Sequence, residues 1–364
     1  MKPVFFVAFL SILSSTLFAQ FGGSYTYQYL QLPPSARVAA LGGTNVSMYN
    51  DDVNFGWLNP ALYNESMNGK ISASHALITG GINHGYVSAA KYLENWDVTL
   101  GGGILYHAYG QMPMTDETGV QIGNFSASEY AVQAGISHGE SKLSYGANVK
   151  LLYSHLESYT SLGAAIDIGG SFHDTTHRFD AGIVLKNIGT QLIAYTENNK
   201  EELPFEIQVG ISKRLKYLPL RFSITAHNLQ QADIRYDDPN TISNVNIFAA
   251  DTTGEVKEET YLADKIFRHV IFGGEFYFGK NFNARVSYDH MTAKEMSLTT
   301  LRGMSGFALG FGLKIKRFQI DYAHEFYNIA GGNNMITISA NTNEFFKKNT
   351  VTPTQSYIIP THKY

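Results

Sequence analysis

The chain has 364 residues, no cysteine and a formal net charge of −4. That excludes a disulfide scaffold, a thiolate metal site, a lipoprotein anchored through a cysteine and a basic field for nucleic acid. Charged residues are only 16%, whereas Tyr and Phe number 23 each and Gly 34, a balance unusual for a soluble enzyme.

Lys2, the apolar run from Val4 to Leu13 and the following "LFAQ" read as a cleaved secretory signal over residues 1–19, with cleavage after Ala19. No other run reaches the roughly 18 apolar residues of a membrane-spanning helix. Residues 20–69 lack strand alternation. In "PPSARVAALGG", Ser35 is placed to cap a helix, Val38 and Leu41 supply its apolar stripe, and Gly42 with Gly43 stop it. In "LNPALYNE", Asn59 can cap a second turn and Pro60 suits its first position, where a missing N–H costs nothing, with Ala61 following. Between the two lie Asp51 and Asp52.

From about Ile71 the pattern has period 2, which sends alternate side chains to opposite faces of a strand. Leu143, Tyr145, Ala147, Val149, Leu151 and Tyr153 share one face; Ser144, Gly146, Asn148, Lys150, Leu152 and Ser154 share the other. The same split sets Leu162, Ile166 and Ile168 against Ser161, Gly163 and Asp167, and Phe307, Leu309, Phe311 and Leu313 against Gly306, Ala308, Gly310 and Gly312. Roughly fourteen such strands are predicted, starting near Ile71, Ile82, Trp96, Phe125, Leu143, Ser161, Arg178, Phe205, Leu220, Phe267, Phe282, Ser305, Phe318 and Asn333. Connections after even-numbered strands are short. The longer ones follow odd-numbered strands: "GQMPMTDETGVQIGN", "IGTQLIAYTENNKEELP", the stretch from Gln230 to Ile266, and "TAKEMSLTTLRGM". Such sorting by parity is expected of an outer-membrane barrel, with short periplasmic turns and longer outer loops. Aromatics near strand ends, namely Tyr106, Tyr109, Phe205, Phe222, Phe267, Phe278, Phe282, Phe318 and Tyr322, suit a membrane boundary.

The fold class predicted is therefore all-β: a 14-stranded antiparallel transmembrane β-barrel over residues 70–342, a short N-terminal helical plug over 20–69 and a tail over 343–364. Lys150, Asp167, Asp180, Lys186, Glu206, Arg214, Arg221, Arg285, Asp289, Asp321 and Glu325 are expected to face inward. Their mixed signs disfavour an ion-selective pore. Lumen-facing glycines are expected to make room for the plug or to let strands curve.

No motif points to catalysis, metal or cofactor binding. "GMSGF" lacks the second glycine of a nucleophile elbow and reads as strand entry around Ser305. His173 and His177 in "HDTTH" flank a short turn, where ligand-like helical spacing has no meaning. "YDDPN" at Tyr236 to Asn240 lacks the ligand alternation of a calcium loop and reads as a proline turn.

The glycine-rich turn, the acidic pair and "NPA" ahead of a barrel resemble the N-terminal plug of the FadL-like fourteen-stranded family. More of the chain resembles its PorV/PorQ branch, components of the type IX protein secretion system: "LPPSARVAALGG", "FSASEYA", "YSHLESYTSLGAAID", "NIGTQL", "LPFEIQVGISKRL", "DDPN" and "GFALGFGLKIKRFQIDYA". That resemblance implies a barrel in outer-membrane lipid, within a surface-attachment complex that holds a PorZ-like protein beside PorU- and PorV-like components. The acidic stretch carrying Asp237, Asp238, Asp251, Glu255 and Glu258 lies in the longest outer connection and is the candidate partner loop. The alternative is a FadL-like transporter of hydrophobic compounds, which needs an apolar lumen and an opening in the wall.

Overall fold

A computed structural model describes residues 25–197, 199–234, 261–296, 303–328 and 331–346. The expected signal peptide, the candidate partner loop with its "YDDPN" turn, and the tail beyond residue 346 lie outside the described residues.

Fourteen antiparallel strands close into one barrel. They are β1 (Lys70–Ile78), β2 (Ile82–Leu93), β3 (Val98–Thr115), β4 (Gln121–Glu140), β5 (Leu143–Leu156), β6 (Tyr159–Asp174) and β7 (Phe179–Ile193), followed by β8 (Glu206–Arg214), β9 (Leu220–Ala226), β10 (Val270–Phe278), β11 (Phe282–Asp289), β12 (Phe307–Ile315), β13 (Phe318–Asn328) and β14 (Gly331–Asn341). Each pairs with its sequence neighbours, and β1 pairs with β14 to close the seam, from Lys70 opposite Asn341 to Leu77 opposite Asn334. Closure leaves no free edge along the wall, as a sheet in hydrocarbon requires.

Alternation sets the orientation of every strand. In β5, Leu151 is 59% exposed while its neighbour Lys150 is fully buried, so the apolar face looks outward and the polar face looks into the barrel. An apolar exterior around a polar, filled interior inverts the soluble pattern and is the arrangement a bilayer selects. The connection between β12 and β13 is the pair 316–317, with Lys316 at φ 54°, a left-handed position that matches the right-handed twist of the flanking strands. Aromatic side chains flank these short turns, including Tyr145, Phe278, Phe282 and Phe318 on the outer surface, and the rings of Phe278 and Phe282 lie 5.7 Å apart.

Several boundaries differ from the sequence reading; "IGTQLI", expected in a connection, is the end of β7, which runs to Ile193. "GQMPMTDETGVQIGN" is mostly strand: β3 runs to Thr115 and β4 starts at Gln121. The turn between them is tied by the Asp116 carboxylate, which accepts from the backbone N–H groups of Thr118 and Val120. Phe267 lies in the helix Tyr261–Arg268, and β10 begins three residues later at Val270; the Asp264–Arg268 ion pair one helical turn apart, at 2.8 Å, supports that helix. Trp96 sits in the turn before β3, where its large ring suggested a strand start.

Residues 25–69 run inside the barrel. Leu30, Val38, Met48, Phe55, Trp57 and Leu62 are all fully buried and form one apolar cluster with Tyr86, Leu105 and Leu152 of the wall. A smaller cluster joins Ala36, Ala39 and Ala40 to Ala76, Ala323 and Met335 on β1, β13 and β14.

Candidate functional site

The lumen and the segment that fills it form the site. Ser35 caps the helix Ala36–Ala39, its Oγ accepting from the Val38 N–H at 3.4 Å. The Ala36 N–H donates to Thr337 Oγ1 on β14 at 2.8 Å. Gly42 and Gly43 end the helix at φ 94° and 83°, left-handed positions that side chains rarely adopt. The Gly43 N–H closes on the Val38 carbonyl at 3.0 Å.

The NPA turn is bound on three sides. Asn59 Oδ1 accepts from the Ala61 N–H at 3.0 Å, and Asn59 Nδ2 donates to the Val46 carbonyl at 2.9 Å and to the Gly170 carbonyl at 3.3 Å. Pro60 takes the first position of its short helix. The Ala61 carbonyl accepts from Ser171 Oγ on β6 at 3.2 Å. Facing glycines create the space. A Cβ on Gly169 would overlap Asn59 Oδ1, one on Gly146 would press on the Pro60 carbonyl, and one on Gly135 or Gly101 would enter the Tyr63 ring.

The two aspartates have separate partners. Asp51 meets Lys70 at 2.7 Å near the mouth formed by the short turns. Burial pushes its carboxyl upward, but the charge and hydrogen bond of Lys70, with help from Arg37, outweigh this and hold it below its ordinary value. Asp52 is enclosed more deeply, and burial raises its carboxyl above the usual range against the pull of Arg37 at 3.9 Å. It accepts from both the backbone and the side-chain nitrogen of Asn54, at 3.1 and 2.8 Å. Asn54 in turn bonds Ser72 on β1 at 2.9 Å and accepts from Ser88 on β2 at 2.8 Å.

Charges from the wall continue this network. Arg37 pairs with Glu275 at 3.0 Å, Glu275 with Arg285 at 2.8 Å, and Arg285 with Asp321 at 2.7 Å, so a line of alternating charge crosses β10, β11 and β13. On the opposite side, Lys150 pairs with Asp167 at 2.8 Å and stands 4.5 Å from the Trp57 ring centre. Asp167 also accepts from the Asn187 N–H at 2.8 Å, across a register shift where Asn187 takes φ 57°. Asp180 is held by Arg221, Ser212 and His173, and the His173 ring stacks on Tyr49 with centres 4.2 Å apart. Arg37–Glu275 ties the filling to the wall, whereas the Lys150–Asp167, Arg285–Asp321 and Arg221–Asp180 pairs join strand to strand; within a low-dielectric lumen such pairs fix geometry more than they add net stability.

Of the charges expected inward, Lys150, Asp167, Asp180, Lys186, Glu206, Arg221, Arg285 and Asp321 are buried in the lumen. Arg214 is at the mouth instead, exposed and stacked on Tyr277 at 4.6 Å. Asp289 caps the helix His290–Glu295, accepting from the Met291 N–H at 3.0 Å. Glu325 is part-buried and accepts from Asn333 at 3.4 Å. Sequence reading missed Arg37 and Glu275. The signal was present for Glu275, which shares a face with Ile271, Gly273 and Tyr277 in "VIFGGEFYF". Nothing beside Arg37 in "SARVAA" marks it as the partner of a wall carboxylate. His177 bonds Asp174 at 2.9 Å, across the turn that "HDTTH" was expected to form.

Among solved structures, the toluene transporter TbuX of Ralstonia pickettii is similar at a TM-score of 0.52 and 11% identity, covering 86% of this chain and 99% of its own. The P. putida toluene transporter TodX is similar at 0.51 and 13% identity, covering 85% and 99%. The chain shares the fold of these two transporters, a closed fourteen-stranded antiparallel barrel. No protein-family model matches the chain, and no curated protein is similar to it in sequence.

In this barrel, two cavities adjoin the filled lumen. One, of about 380 Å³, opens at the end of the short turns between the Tyr49–Val53 stretch and the wall from β8 to β14; Arg37, Asp52 and Asp321 stand in its floor. The other, of about 410 Å³, lies against the wall above the last β7–β8 pair, Lys186 opposite Glu206. There Ile188, Gly189, Thr190, Leu203 and Phe205 line it.

Proposed function

We propose that the chain is a non-enzymatic, plugged outer-membrane barrel that serves as an interaction scaffold of the type IX secretion kind, holding a PorZ-like surface protein beside PorU- and PorV-like components. The observation that carries the scaffold reading is the polar seal of the lumen. The Arg37–Glu275–Arg285–Asp321 line and the Lys150–Asp167 pair lie with the buried 25–69 segment across the route a hydrophobic solute would follow. Passing an apolar compound there means separating hydrogen-bonded charges with nothing to replace their partners. The secretion-system assignment rests on the ordered sequence resemblance, from "LPPSARVAALGG" to "GFALGFGLKIKRFQIDYA".

The second reading, a FadL-like transporter of hydrophobic compounds, is favoured by two observations. The fold is shared with two toluene transporters, and the cavity beside Ile188, Gly189 and Phe205 lies where β7 loses its β8 partner.

One experiment addresses both. Replacing residues 240–259 with a Gly/Ser linker is expected to leave the barrel heat-modifiable and to release the PorZ-like protein from the cell surface. A strain lacking the barrel is expected to take up toluene at the parental rate. Retention of the partner without the loop sinks that loop as the dock, and lost toluene uptake in the deletion strain favours the transporter.

A further inference from the structure

The cavity at the short-turn mouth has two kinds of cation. Those in and near its floor are each compensated: Arg37 by Glu275, Lys70 by Asp51, Arg221 by Asp180, and Arg285 by Glu275 and Asp321. Those at its rim are not. Arg214 ends β8, Lys280 is in the β10–β11 turn, Lys314 is near the end of β12 and Arg317 is in the β12–β13 turn. All four line the cavity, and none has a carboxylate within ion-pair distance among the described residues. Arg214 and Arg317 lie over the rings of Tyr277 and Phe345, at 4.6 and 5.1 Å, which steadies the guanidinium groups without neutralising them. The carboxylates that share the cavity are already engaged or remote from the rim: Asp51 holds Lys70, Asp321 holds Arg285, and Asp52 faces Arg37. Glu344, in the short helix Asn343–Phe346, is the remaining one.

A chain with a net charge of −4 thus concentrates uncompensated positive charge on one concave surface. Repulsion among the rim cations is relieved by any anion that spans them, and the concave wall focuses the field on it. Because the four are spread over the end of β8, the β10–β11 turn and the β12–β13 hairpin, a singly charged group reaches only part of the ring. A small anion with several oxyanion groups reaches more of it, and the arginine forks suit phosphate oxygens. We infer that this mouth is a binding site for a small soluble polyanion of the polyphosphate type, a function separate from partner retention at the opposite end. In an outer-membrane barrel the short turns face the periplasm, so the ligand is a periplasmic solute.

The test uses the full chain in neutral detergent, with inorganic tripolyphosphate as the probe in titration calorimetry at low salt. Saturable binding is expected, weakened at least tenfold in the Lys280→Gln/Lys314→Gln/Arg317→Gln variant, and unchanged in Lys265→Gln at the other end. Acetate at the same concentration is expected not to compete. Heat-modifiability checks that the triple variant is folded; if it is not, the single variants Lys280→Gln and Lys314→Gln are each expected to weaken binding about threefold. No saturable binding to the parent protein, or equal binding by a folded variant, overturns the site.

Discussion

Arg37 and Glu275 meet at 3.0 Å, one on a single helical turn inside the barrel and the other on β10, 238 positions later in the chain. Glu275 also holds Arg285 and accepts from the Tyr277 hydroxyl at 2.5 Å, so one carboxylate balances two buried guanidinium groups. Glu275→Ala is therefore expected to cost about 3–5 kcal/mol, the range for removing one partner of a buried pair. The midpoint of loss of the heat-modifiable band reads it. Arg285 keeps Asp321, so Glu275→Gln combined with Arg37→Met removes the charge left without a close partner and is expected to recover part of the loss; no recovery would count against the pair as the tie between plug and wall.

The glycine at position 169 gives a steric test. A side chain there meets Asn59 Oδ1, and Asn59 holds the Val46 carbonyl and the Gly170 backbone at once. Gly169→Val is expected to dislodge the NPA turn and raise single-channel conductance in planar bilayers, and deletion of residues 42–61 is expected to raise it further. Conductance at the parental level in both would mean that residues 25–69 do not close the lumen.

The neighbouring aspartates are expected to respond oppositely to pH. Asp52 has a raised folded value, so its protonated form favours the fold; this contribution is present below the unfolded carboxylate value and is lost as pH rises through the folded one. Asp52→Asn, which can still accept from the Asn54 N–H, is expected to stabilise the protein at pH 7, with no gain below about pH 3, where the Asp52 carboxyl is largely protonated in the folded and the unfolded chain alike. Asp51 has a lowered folded value, so its contribution is present above the unfolded value and is lost as pH falls through the folded one. Its side chain is 56% exposed, so Asp51→Asn is expected to cost no more than about 1 kcal/mol at neutral pH. Unfolding midpoints at pH 3, 5 and 7 separate the two.

The outward face predicts behaviour in fractionation. With Leu143, Val149, Leu151, Ile166, Ile168 and Ile183 exposed around the wall, the protein is expected to sediment with outer membranes and to run faster in gels before heating. Recovery in the soluble periplasmic fraction would contradict a lipid-facing exterior.

The barrel was legible because a wall in lipid has one rule per residue, and alternation such as that of Leu143 to Ser154 states it without ambiguity. The helix caps at Ser35 and Asn59 were legible for the same local reason. What could not be read was pairing across the lumen. Nothing near Arg37 in sequence names Glu275, and nothing near Tyr63 says that its ring rests on Gly101 and Gly135. Those contacts depend on how the plug is threaded, which sequence periodicity does not encode. Strand ends also slipped where an aromatic served another purpose, as at Trp96 in a turn and Phe267 in a helix.

The seam between β1 and β14 bears on how the molecule is made. Residues 25–69 precede the first strand, yet they touch the last one, where Ala36 bonds Thr337 and the side chain of Asn343 reaches back to the Asn68 carbonyl. An order of assembly that lays the wall around the early segment as a mould closes the final hairpin last. Until then the mould's apolar side chains are uncovered. The same segment also bonds β1 through Asn54 and Ser72, so drawing it out of the finished barrel breaks contacts on both sides of the seam.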